Sequence, residues 1–84
     1  MNIMTSKDGE YATTDLYYAA YLQCAGAPML RADKSGTGRL SFVFDTGVVN
    51  IEQLKKAWLN QSGKVSAQLY ANSIKNLKHM CHMP

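Results

Sequence analysis

Apolar residues run almost unbroken from Leu16 to Ala25, alternate with others from Leu40 to Phe44, and then recur every three or four positions towards the end of the chain. These three patterns predict a helix with little wet face, a half-buried strand and a pair of amphipathic helices. The first helix has clear signals at both ends. Thr14 is placed to cap it, because a threonine oxygen can accept from an otherwise unpaired amide of the first turn. Asp15 follows where the helix dipole favours negative charge. At the far end Gly26 suits a left-handed cap, and Pro28 forbids continuation.

Around this segment the remaining elements fall into order. Glu10-Tyr11-Ala12-Thr13 is a candidate strand leading into the helix, preceded by a polar tail over residues 1–9 that is expected to be loose. Met29-Leu30-Arg31-Ala32-Asp33 and Arg39-Leu40-Ser41-Phe42-Val43-Phe44-Asp45 read as two strands. The second places Leu40, Phe42 and Phe44 on one face and Ser41, Val43 and Asp45 on the other. Turn residues Lys34 to Gly38 join them as a hairpin. Asn50 and Gln53 have the spacing of a capping box for a second helix, whose buried stripe is Ile51, Leu54 and Trp58. After a break at Asn60-Gln61-Ser62-Gly63, a third helix starts at Ser66, with Val65 placed to close against Tyr70. Its predicted stripe is Tyr70, Ile74, Leu77 and Cys81 with Ala67 and Ala71 beside it, opposite Gln68, Asn72, Lys75, His79 and His82. The whole is a single α+β domain over residues 1–84, a small antiparallel sheet with three helices in the order βαββαα. Strand order, and whether residues 10–13 join the sheet, are not set by this pattern.

Several of these residues resemble a known arrangement. Thr14-Asp15-Leu16-Tyr17 leading into Ala19-Ala20-Tyr21-Leu22, then Gly26, Phe42-Val43-Phe44, Trp58, Val65, Tyr70 and Leu77-Lys78 are similar to a family of small uncharacterised domains in bacterial, prophage and phage genomes. The likeness spans residues 10–80 and consists of core and cap positions without a catalytic signature. It implies a small accessory protein of mobile DNA and carries over no functional residue.

Composition narrows the picture. With 46% apolar and 18% charged residues, the 84-residue chain is that of a folded domain and not a disordered one. Met1 to Gly9 has no apolar run of the kind a signal peptide needs, and no stretch approaches the roughly 20 apolar residues of a membrane span. Two distant cysteines, Cys24 and Cys81, together with these features lead us to expect a cytoplasmic setting with free thiols, a single disulfide being the alternative.

Charge is distributed unevenly. Residues 1–52 hold four cations against six carboxylates, whereas residues 53–84 hold Lys55, Lys56, Lys64, Lys75 and Lys78 with no acidic side chain, giving +3 overall. A positive potential over the last two helices favours an acidic partner. Lys55, Lys56, Lys64, Lys75 and Lys78 are therefore candidate phosphate contacts, with Asn72 and Asn76 as candidate base contacts, in a nucleic-acid-binding protein. Ordinary solvated lysines on amphipathic helices are the competing explanation. The second functional reading is a protein-interaction module, a homodimer or a binder of a host protein. It would use Tyr17, Tyr18 and Tyr21 of the nearly all-apolar helix or an open sheet edge.

Other chemistry is poorly supported. Asp33 to Phe44 begins like a calcium-binding EF-hand loop, but Phe44 stands where a bidentate carboxylate is required and the flanks read as strands. His79, Cys81 and His82, even with Cys24, match no standard zinc spacing, so neither a metal nor a cofactor is expected. No nucleophile has a base and an orienting group in a recognisable pattern, and Gly36-Thr37-Gly38 lacks the helix and lysine-hydroxyl pair of a phosphate loop. A non-enzymatic binding protein is the resulting expectation.

Overall fold

A computed structural model describes residues 9–34 and 39–81 of the chain. Six elements follow one another: β1 (Glu10–Thr13), α1 (Leu16–Cys24), β2 (Met29–Lys34), β3 (Leu40–Asp45), α2 (Ile51–Leu59) and α3 (Ala67–Cys81). The strands form one antiparallel sheet in the order β1-β3-β2, so residues 10–13 do join it and the most apolar strand takes the centre. Tyr11 and Met29 both pair with Phe44, while Thr13 and Ala32 pair with Phe42, which aligns the inward side chains of three strands under the helices. Residues 35–38, the centre of the predicted hairpin turn, lie outside the described residues. Residues 29–32, which precede the candidate EF-hand loop, belong to β2, a strand where an EF-hand would have its entering helix.

The outer face of the sheet has its own arrangement. Arg31, paired with Val43, sends its guanidinium across β3 to hold both carboxylate oxygens of Glu10 on β1 at 3.0 Å, while its Nε reaches Asp33 at 2.9 Å. The arginine stem thus crosses the strand at Val43, an outward-facing residue that is nevertheless only 3% exposed. Val43 is the one buried apolar side chain among the described residues outside the main core.

The main core is organised around α1. Five consecutive residues, Tyr18, Ala19, Ala20, Tyr21 and Leu22, are buried, which no single-faced helix can achieve. One side rests on Phe42 and Phe44 of the sheet, α3 brings Leu77, and α2 brings Ile51 and the indole of Trp58. Tyr18 and Tyr21 stand one turn apart with ring centroids 6.5 Å from each other. Trp58 packs at 5.6 Å and 5.3 Å from them, and Tyr11 meets Tyr18 edge-on at 6.2 Å.

The cap of α1 differs from expectation. Asp15, not Thr14, occupies the cap position: its Oδ1 accepts from the amides of Tyr17 and Tyr18, while Thr13 Oγ1 accepts from the Asp15 amide. A carboxylate there both accepts two orphan amides and meets the positive end of the dipole, so it outcompetes the threonine beside it. The C-terminal signals hold. Gly26 has φ +102°, and the pair Gly26 N–H to Gln23 O and Ala27 N–H to Leu22 O closes the helix in a Schellman motif. The same motif ends α2, with Gln61 in the left-handed position at φ 58°. Asn50 caps α2 as expected, accepting from Gln53 N–H at 3.1 Å.

The stripe of α3 also departs from expectation. Leu77 is buried and Tyr70, Ile74 and Met80 are half-buried, but Cys81, Ala67 and Ala71 are exposed and Ser73 takes an inward position. Ser73 donates to Gln23 Oε1 at 3.0 Å and accepts from the Cys24 thiol at 3.6 Å. Ser73 lies about 40° from Leu77 around the helix, so this polar join sits within the inward face. Both cysteines are free thiols. Of the tail, Gly9 is anchored through its carbonyl to Thr46 N–H, and residues 1–8 lie outside the described residues.

Candidate nucleic-acid interface

α3 is the element that assembles most of the candidate residues. Its amphipathic spacing turns Leu77 towards α1, so residues about 180° away must face water at about 100° per residue. Gln68, Asn72, Lys75 and His79 fall within about 60° of one another on that outward face and extend over about 16 Å of helix. Asn76 lies on one flank and Lys78 on the other, and all six side chains are exposed.

The Lys78 flank reaches α1. Its Nζ lies 6.0 Å from the centroid of the Tyr17 ring, and Tyr17 is 50% exposed. The backbone carrying this ring is held twice, by the Tyr17 amide donating to Asp15 and by the Tyr70 hydroxyl donating to the Tyr17 carbonyl at 3.3 Å. Burial, and then the nearby charge of Asp15, push the Tyr70 phenol upward, so it stays a hydrogen-bond donor at neutral pH.

The other predicted lysines stand apart. Lys64 is exposed in the connection entering α3, Lys56 is exposed on α2, and Lys55 is half-buried there. α2 does not pack along α3 but inserts Trp58 against α1. Thus Lys75, Lys78, Asn72 and Asn76 share one helix surface, whereas Lys55 and Lys56 belong to another element. The predicted interaction tyrosines also separate. Tyr18 and Tyr21 are core residues, and only Tyr17 of the three presents its ring to solvent.

Apart from Asp15, which stands beside Tyr17 and close enough to α3 to act on Tyr70, the acidic groups of the described residues lie away from this surface. By register, Glu10, Asp33 and Asp45 lie on the outer face of the sheet, while Asp15 caps α1 and Glu52 stands in the first turn of α2. The exposed face of α3 therefore carries cationic and amide groups with no carboxylate of its own. Chemically, it can attract anions and offer amide hydrogen bonds. The Cys24–Ser73–Gln23 contact has no such role, since an amide oxygen is too weak a base to activate the serine and the three residues join α1 to α3.

His79 and Cys81 are exposed on α3, and His82 lies outside the described residues. Among the described residues no group of three or more His, Cys, Asp or Glu side chains is placed to hold a metal ion. No helix among them is long and apolar enough to cross a membrane.

Two features here were invisible to sequence reasoning. Tyr17 had no signal separating it from Tyr18 and Tyr21, because all three sit in one apolar run. Ser73 is a polar residue with no sequence signal for burial. Only the way the other elements enclose α1 distinguishes them.

Residues 8–83 match the family described as "Domain of unknown function (DUF5659)", and the chain belongs to that family. No curated protein and no solved structure matches the chain.

Proposed function

We propose that this DUF5659 domain is a non-enzymatic nucleic-acid-binding protein that uses the exposed face of α3. The observation that supports this reading is the carboxylate-free surface formed by Asn72, Lys75, Asn76 and Lys78. Lys75 and Lys78 supply phosphate attraction, Lys64 extends it towards the start of the helix, and Lys55 and Lys56 add a more distant positive field. Asn72 and Asn76, four residues apart, offer side-chain amides on successive turns, the geometry by which a helix reads adenine in a major groove. With so few lysines, binding is weak and salt-sensitive, with a Kd on the order of 10⁻⁴–10⁻⁶ M at physiological salt. A cytoplasmic accessory role in mobile DNA, of phage or prophage type, fits such a partner and the two free thiols.

The test is fluorescence anisotropy with labelled random-sequence DNA at ~50 mM salt, where phosphate contacts are strongest. Lys75→Glu with Lys78→Glu abolishes the signal while leaving the circular dichroism unchanged. Absence of binding by the unmutated protein at that salt rejects the proposal.

The competing reading is a protein-interaction module, either a homodimer or a binder of a host protein. Burial of Tyr18 and Tyr21 moves its support to isolated exposed leucines, Leu59 at 68% and Leu69 at 57%. The sheet edges are poor docking templates, because β1 has four residues and β2 carries an irregularity between Met29 and Arg31. Sedimentation as a monomer at ~100 μM, well above the range of a specific dimer, removes the homodimer version.

A further inference from the structure

We infer that Tyr17 is a stacking platform for an unpaired base, so that the preferred partner is single-stranded nucleic acid. This rests on the α3 reading above and specifies its ligand. Every other Phe, Tyr or Trp ring is buried or half-buried, and of these Tyr17 alone sits half in water. It does so from a helix whose next five residues are all buried, so its outward direction follows from α1 being fixed on every other side. The ring is also pre-positioned. Asp15 and Tyr70 clamp the backbone on which it stands, and Lys78 holds an ammonium 6.0 Å from its centroid.

The Lys78 ammonium lies over the Tyr17 ring; a base stacking on that face displaces it towards the phosphate of the same nucleotide. The pair thus matches the nucleotide's two chemical parts, a flat base that stacks and a phosphate that pairs with the ammonium. In a duplex both faces of each base are already covered by neighbours, and a side chain standing on the protein surface cannot reach them. An unpaired base has a free face. Every base has one, so the contact is indifferent to sequence, as are the lysine contacts. From Tyr17 through Lys78 to Lys75, the groups continue from the ring onto the outward face of α3, a path along which successive phosphates would track.

The experiment compares fluorescein-labelled 20-nucleotide single strands of mixed sequence with the corresponding duplex, by anisotropy at ~50 mM salt. Unmutated protein binds the single strand more tightly. Tyr17→Leu, which keeps apolar bulk and removes the flat ring, weakens single-strand binding about 10-fold, within the range of a lost base stack, and leaves duplex binding within about twofold. Tyr17→Phe restores it, and thermal melting of each variant confirms the fold. If single strand and duplex bind alike and Tyr17→Leu changes neither, the stacking role is overturned while the α3 reading stands. If no nucleic acid binds, both fall together.

Discussion

Gly63 lies directly against the ring of Tyr21: a Cβ on this glycine would come within 2.6 Å of Tyr21 Cε1 and 2.7 Å of its hydroxyl oxygen. The ring cannot retreat, because Tyr21 is packed between Tyr18 and Trp58 in the core. The turn between α2 and α3 therefore acts as a lid on the aromatic cluster, and the absence of a side chain at residue 63 is what allows it to close.

Gly63→Ala is accordingly expected to destabilise the domain by about 1–3 kcal/mol, the usual cost of overpacking a filled core. Urea unfolding measures this. Because the backbone at Gly63 is not in the left-handed region, the loss is steric, and combining it with Tyr21→Leu should give less than the sum of the two single losses.

The cap of α1 gives a sharp contrast between neighbours. Asp15→Ala removes the acceptor of two amides and should cost about 1 kcal/mol. Thr14→Ala, at an exposed position outside the cap, should change stability by less than about 0.5 kcal/mol. Equal losses at the two positions would return the cap to Thr14.

Tyr18 buries its hydroxyl with no hydrogen bond of good geometry, and burial, then a weak polar contact with the Tyr11 phenol, push its pKa well above the ordinary phenol range. Folding thus favours the neutral phenol, so stability is fully present below about pH 10, the unfolded value, and falls as pH rises beyond it. Tyr18→Phe should be neutral or stabilising at pH 8, since the unpaired polar atom is removed with little change of shape. Its advantage over the unmutated protein should widen at pH 11, as read from urea midpoints at the two pH values. A loss of stability at pH 8 would show that the hydroxyl has a partner.

Gln61 adopts φ 58° at the end of α2, a conformation that disfavours side chains bearing a Cβ. Gln61→Gly should raise stability by up to about 1 kcal/mol, the strain relieved less the added freedom of the unfolded glycine. Thermal unfolding of the pair checks the sign.

The element order was legible because each local signal acts within a few residues. The caps at Gly26 and Asn50, the alternation of Leu40 to Phe44 and the break at Asn60 to Gly63 all concern neighbours in the chain. Sequence reading placed the first cap one residue early, since threonine and aspartate compete for the same amides and only the backbone angle at Asp15 decides between them. It also misplaced the stripe of α3 at Cys81, Ala67 and Ala71, because Ser73, a polar residue, faces inward to meet Gln23 and Cys24.

For the candidate surface, the amino-acid order by itself determined the charge imbalance and the helical spacing that groups Lys75, Lys78, Asn72 and Asn76, both being properties of composition and period. Folding in three dimensions decided which of three adjacent tyrosines meets water, that Arg31 reaches Glu10 across the central strand, and that Gly63 covers Tyr21. Those outcomes depend on how α1 is enclosed from several directions at once. An unbroken apolar run shows that a helix has little wet face, but with no periodicity it does not say which of its residues is left in water.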